Sequence, residues 1–247
     1  MFDVIIIVDW SANATPKRGA DSIWSYELHD VPAQPINHRT RLEARDHLVA
    51  RLGHHAGRRV LLGFDFPLGY PAGFAAAAGF SGAAWQAIWQ HLADRITDTP
   101  RNRNNRWEVA SDLNRRLDHH RFWGSPPSRA GEHLPTHKPL NLAADRAAEQ
   151  RLRSLGLRPF SPWQLLGAGS VGSQSLTGIP VAHHLRHHPA LAARTLVWPF
   201  ETGLTDEPGG DRDDAIVVAE VWPSAIDFRH VVHDVKDARQ VMALAHH

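Results

Sequence analysis

Asp9, Asp65 and Glu220 each stand at or near the downstream end of a short apolar, largely β-branched run, and a fourth acid, Asp237, opens the last helical pattern of the chain. The runs are Phe2 to Val8 followed by Asp9-Trp10-Ser11, Val60 to Phe64 followed by Asp65-Phe66-Pro67, and Ala215 to Ala219 followed by Glu220-Val221-Trp222-Pro223. In an α/β sheet the downstream strand ends are where side chains meet ligands. An acid placed directly after so many apolar residues is costly unless it is solvated, hydrogen-bonded or bound to a cation. Several together suggest oxygen ligands for Mg²⁺ or Mn²⁺. For Asp237 alone, the favourable interaction of an acid with a helix start is a sufficient explanation.

The elements that must position these acids follow from periodicity. Residues 2 to 8 are nearly continuous Val and Ile, the pattern of a strand covered on both faces. Residues 11 to 20, with Asn13, Pro16 and Gly19, read as a turn. Ser22 to His29 alternates as a second strand antiparallel to the first, and a weaker extended stretch with Pro32 and Pro35 follows. Arg41 to Leu52 has helical spacing with Thr40 as its cap, and the strand at 60 to 65 comes next. Ser81 to Ile96 carries Trp85, Ile88, Trp89 and Leu92 on one face, the spacing of core packing rather than of a ligand box. Arg106 to His120 and Asn141 to Leu155 are further helix candidates, with a Pro-, Gly- and Ser-rich loop from Phe122 to Pro139 between them. Strand character returns at Thr195 to Phe200 and Ala215 to Val221. A closing helix starts near Asp234, and the roughly 13 residues left for it would span about 20 Å, which suggests that a C-terminal extension is missing.

With 247 residues and no internal repeat, one α/β domain over residues 1–247, with a helical insertion at about 70–190, is the expected organisation. Lys plus Arg number 27 against 26 for Asp plus Glu, so the overall charge of +1 favours no polyanionic partner by itself. The chain has no cysteine, which excludes a disulfide scaffold, a thiolate zinc site and a cysteine nucleophile. The apolar opening is too short for a membrane span and lacks a basic leader, so a soluble cytoplasmic protein is expected. The oligomeric state is not legible.

The order of elements resembles the ribonuclease H-like superfamily, in particular bacterial and archaeal families whose first strand ends in Asp and whose fourth carries a D-x-P-x-G turn. The residues that carry the likeness are Asp9 in VDWSA, Asp65-Phe66-Pro67-Leu68-Gly69, Glu220-Val221-Trp222-Pro223 and Asp237-Ala238. Gly169-Ser170-Val171-Gly172-Ser173-Gln174 is similar to the Gly- and Ser-containing segment ending in Gln before the late strand. The likeness spans the chain, but each motif is short. It implies a mixed sheet flanked by helices and a divalent-metal-dependent phosphodiester hydrolase or nuclease. Asp9, Asp65, Glu220 and Asp237 would be its catalytic and metal-binding acids, and Ser11, Ser170 and Gln174 substrate-binding positions. Two Mg²⁺ or Mn²⁺ ions about 4 Å apart can clamp an in-line displacement. The chain departs from the nuclease pattern in its large insertion and in showing no obvious His or Lys beside the acids.

Arg101, Arg103, Arg106, Arg115, Arg116, Arg121, Arg129 and Lys138 are interleaved with Trp107, Phe122 and Trp123. Basic residues among aromatics suit a phosphate or single-stranded nucleic-acid surface, so Arg115, Arg116 and Arg121 are candidate substrate contacts, and nucleic acid or a phosphorylated small molecule a candidate partner. An ordinary solvated helix face has the same composition. Gly167 to Gly172 matches G-x-G-x-x-G, but Pro180 argues against the long helix a dinucleotide site needs. His183, His184, His187 and His188 have chelating spacing without the Glu of H-E-x-x-H, and read as a solvated helix end. Two other classes fit the acids: a nucleotide-binding phosphotransferase, which would need a duplicated half, and a catalytically silent binding module of the same fold.

Overall fold

The computed structural model describes residues 1–31, 33–140, 145–167 and 170–247. The chain forms two compact units. The first comprises residues 1–66, 99–103 and 181–247, and the second residues 67–98 and 104–180. The second unit therefore occupies most of the span read as an insertion, except that 99–103 and 181–190 belong to the first.

In the first unit a six-stranded mixed sheet has the order β3-β2-β1-β4-β6-β5. Its strands are β1 (Val4–Asp9), β2 (Ile23–Leu28), β3 (Ile36–His38), β4 (Val60–Phe64), β5 (Thr195–Val197) and β6 (Ile216–Glu220). β1, β4, β6 and β5 run parallel, and β2 pairs antiparallel with both β1 and β3. Central β1, β4 and β6 are buried along most of their length, which is why their sequences are continuous rather than alternating. β2 alternates for a reason: Trp24 and Tyr26 join Ile7 in an apolar cluster with Ala238, Val241 and Ala245 of the closing helix α7 (Lys236–Ala245). The small residues of α7 let it lie directly on β1 and β2.

Ser25 and Glu27 alternate with those aromatics and therefore lie on the other face of β2, where they meet a polar set instead of a second apolar stripe. Ser25 Oγ lies 2.7 Å from His38 Nε2. Glu27 accepts two hydrogen bonds from Arg51 (2.8 and 2.7 Å) and lies 2.7 Å from His55 Nε2. Arg51 and His55 belong to the end of α1 (Arg41–His54) and its C-cap. Thr40 caps α1 as expected, accepting from the Glu43 N–H at 3.2 Å.

The second unit is helical. It holds α2 (Phe74–Ala77), α3 (Ala84–Arg95), α4 (Arg106–Arg115) and α5 (Ala147–Ser154), and the start of α6 (Gly172–His187), whose last residues belong to the first unit. Ile88, Trp89 and Leu92 of α3 are buried as the spacing required. α4 stops at Arg115, short of the expected His120, because Asn114 turns its side chain on the loop that follows, accepting from the Arg121 and Phe122 N–H groups. Residues 141–144 of the third candidate helix lie outside the described residues. The sequence reading has only the histidine run as a helix end; α6 is 16 residues long and runs through Pro180. Among the described residues no helix is long and apolar enough to cross a membrane.

Candidate acid site

β1 and β4 are parallel neighbours with Val8 opposite Phe64, and the Asp65 N–H donates to the Val8 carbonyl at 3.2 Å. The acids that follow, Asp9 and Asp65, therefore stand side by side at the downstream end of the two central strands. By the two-residue alternation they share the face of Ile7 and Gly63, the face covered by α7. Gly63 has no room for a side chain, since a Cβ would come within 2.8 Å of Val221 Cγ1 and 2.9 Å of Ile7 Cδ1. Asp65 Oδ1 accepts the Trp10 N–H at 2.7 Å. Trp10 itself is buried against Phe64 and Phe66, at ring-centroid distances of 6.0 and 5.9 Å.

The Asp9 and Asp65 carboxyls act directly on each other. Two buried carboxylates side by side repel unless one holds a proton. Burial raises the Asp9 carboxyl well above the ordinary carboxylate range, and the charges of Asp65 and Asp237 raise it further, while Lys236 lowers it. Burial likewise pushes Asp65 up, against the Trp10 N–H, which holds it down. The pair thus keeps a proton into the neutral range.

Asp237 is the second residue of α7, and its charge acts on both members of the pair. Its Oδ2 accepts the Asp21 N–H at 2.7 Å. Burial raises its carboxyl, and Lys236 and Lys17 are the cations that oppose this. The sequence alone does not place these two lysines beside the acids. Lys236 had a signal, being adjacent to Asp237 in sequence; Lys17 had none. Ser11 lies in the loop after Asp9, where its Oγ donates to the Asp21 carbonyl at 3.2 Å.

Glu220 ends β6, the next strand along, and is in register with Phe64. Alternation therefore directs it to the face of Phe64 rather than that of Asp9 and Asp65; Val221 is the residue level with Asp65. Asp9, Asp65 and Asp237 come together, and Glu220 stands at the same sheet end on the other side.

Arg115, Arg116, Arg121, Ser170 and Gln174 belong to the second unit. Arg115 pairs with Asp112 at 2.8 Å, and the Arg116 guanidinium lies 5.4 Å from the Phe80 ring centroid. Gln174 sits in the first turn of α6 and Ser170 just before it; Gly169 of that motif, and Ala168 and Gly169 of the glycine-rich match, lie outside the described residues. The histidine run is helical through His187, and the His183 and His187 rings are 4.2 Å apart.

Among the described residues no group of three or more His, Cys, Asp or Glu is arranged to hold a metal ion. The donor set nevertheless suits a hard cation. Mg²⁺ commonly binds through one or two carboxylates and completes its shell with water and substrate phosphate, and a cation between Asp9 and Asp65 would replace the proton that relieves their repulsion. Compared with known proteins, the chain matches no family model, no curated protein and no solved structure.

Proposed function

We propose that the first unit is a ribonuclease H-like domain and that the protein is a divalent-metal-dependent phosphodiester hydrolase. One observation carries this reading: Asp9 and Asp65 are neighbouring acids at the ends of adjacent parallel strands, with Asp237 acting on both. Nothing about folding calls for such a pair, since like charges forced together cost stability. Function is the usual reason for tolerating that cost.

In this reading Asp9 and Asp65 would hold Mg²⁺ or Mn²⁺, and Asp237 would supply a further oxygen. Such an ion would supply activation of a water and neutralisation of phosphoryl charge. The chain's own residues do the rest. Lys236 and Lys17 bring positive charge to a site whose carboxylates would otherwise repel a phosphate. The Trp10 N–H fixes one Asp65 oxygen and leaves the other for Asp9 or a ligand. Trp10, Phe64 and Phe66 are buried against one another on the opposite face, where they hold the two strand ends in place. The substrate class is a phosphodiester, either a nucleic-acid strand or a smaller phosphorylated molecule.

The phosphotransferase reading would need a second sheet like the one six-stranded sheet that the described residues hold. The test is hydrolysis of an activated phosphodiester such as bis(p-nitrophenyl) phosphate with Mn²⁺. Turnover that is abolished in Asp9→Asn supports the hydrolase, whereas metal binding without turnover leaves a silent binding module.

A further inference from the structure

Asp237 is tied to the molecule by more than its own helix. Its carboxylate accepts the Asp21 N–H, and Asp21 sits at a left-handed φ of 54°. The Asp21 carbonyl in turn receives the Asn13 side-chain amide at 2.5 Å and Ser11 Oγ at 3.2 Å. The carbonyls of Ser11 and Asn13 both accept from one guanidinium nitrogen of Arg41, at 3.0 and 2.8 Å. The other terminal nitrogen donates to the Asn102 carbonyl at 2.7 Å.

Arg41 is fully buried. A buried guanidinium is an expensive way to anchor a loop, because its charge leaves water. Its gain over an apolar contact is direction, since a rigid planar fork fixes where the acceptors lie. Asn102 completes the clamp. Its Oδ1 accepts the Arg41 N–H at 3.0 Å, and its amide reaches the Thr15 carbonyl at 3.3 Å and the Arg39 carbonyl at 3.4 Å. It too has a left-handed φ, of 62°. The short segment 99–103 returns to the first unit from the helical one and there meets this loop.

We propose that Arg41 and Asn102 are positioning residues of the acid site: they fix the loop from Ser11 to Asp21, and through the Asp21 N–H they aim the Asp237 carboxylate at the Asp9–Asp65 pair. The proposal rests on the metal-site reading above. It assigns a function to the return of segment 99–103 and to the burial of a charge, neither of which the acids alone explain.

Calorimetry with Mn²⁺ on the full chain tests it, using Asn13→Ala, Asn102→Gly and Arg41→Lys in the wild-type and Asp237→Asn backgrounds, with each melting midpoint recorded. Asn102→Gly keeps the left-handed backbone and removes only the side chain, so it is the variant best able to fold. In the wild-type background each substitution should weaken Mn²⁺ binding about three- to tenfold, and in Asp237→Asn none should weaken it further, the signature of coupled residues. Wild-type affinity in Asn102→Gly and Asn13→Ala would overturn the proposal. So would an equal loss in both backgrounds, because the effect would then bypass Asp237. If Asp9→Asn binds Mn²⁺ as wild type does, the metal-site reading falls, and this proposal with it.

Discussion

Asp9 and Asp65, 56 positions apart in sequence, stand side by side at the ends of two neighbouring parallel strands, each raising the cost of charging the buried pair. The folded protein therefore binds protons that the unfolded chain has released. Asp65 is pushed up to about 7 from an ordinary 3.8. Its contribution to stability is fully present below the lower value and is lost as pH rises through the higher one. Asp65→Asn keeps the oxygen that accepts from Trp10 and removes the charge. In metal-free buffer at about pH 7.5 it should be more stable than wild type by roughly 2 kcal/mol, and the advantage should vanish near pH 4. Thermal melts of both proteins across that range check this; equal midpoints throughout would contradict it.

Glu27 runs the other way. Burial alone would raise its carboxyl, but hydrogen bonds from Arg51 and His55 hold it down to about 2 against an ordinary 4.5. Its contribution is present above the ordinary value and lost as pH falls toward 2. Glu27→Gln should cost roughly 3 kcal/mol at neutral pH, since it leaves Arg51 and His55 without their carboxylate. Denaturant unfolding at neutral pH and at about pH 3 measures it, with the gap between variant and wild type narrowing at the lower pH.

His38 adds to acid sensitivity. Burial, reinforced by the charges of His47 and Arg18, lowers it to about 4 from 6.5. The unfolded chain takes up this proton first, so stability falls as pH drops from the higher value to the lower. His38→Asn should flatten the pH dependence of the melting midpoint in that window. An unchanged slope would show that His38 does not titrate on unfolding.

Gly63 lies on β4 where Val221 and Ile7 close over it. Gly63→Ala should destabilise by about 1–3 kcal/mol, because a β-branched neighbour in a packed sheet has little room to move. Urea denaturation gives the number, and a variant as stable as wild type would show that the sheet end is loosely packed.

Much of this fold was legible because its central strands are nearly continuous apolar runs and Thr40 is a standard cap for α1. The site was legible in part for the same reason: an acid directly after a buried run is conspicuous, and Asp9, Asp65 and Asp237 do meet. Glu220 shows the limit. Being last in a strand fixes the end of the sheet, but the face depends on register, which a one-residue offset reverses. The first part of helix α6 was not legible because Pro180 and the glycines before it argue locally against a helix, and tertiary packing of Leu176, Ile179 and Leu185 outweighs them. Arg41 and Asn102 gave no signal, as each acts on residues far away in sequence.

The most direct test of the acid site is Mn²⁺ calorimetry on the wild type, Asp9→Asn and Asp65→Asn at one pH and ionic strength. Removing either member of a carboxylate pair that holds an ion should weaken binding at least about tenfold, with the fold retained in both variants. Affinity unchanged by both substitutions, or no measurable binding by the wild type, would contradict the assignment of Asp9 and Asp65 as a metal site.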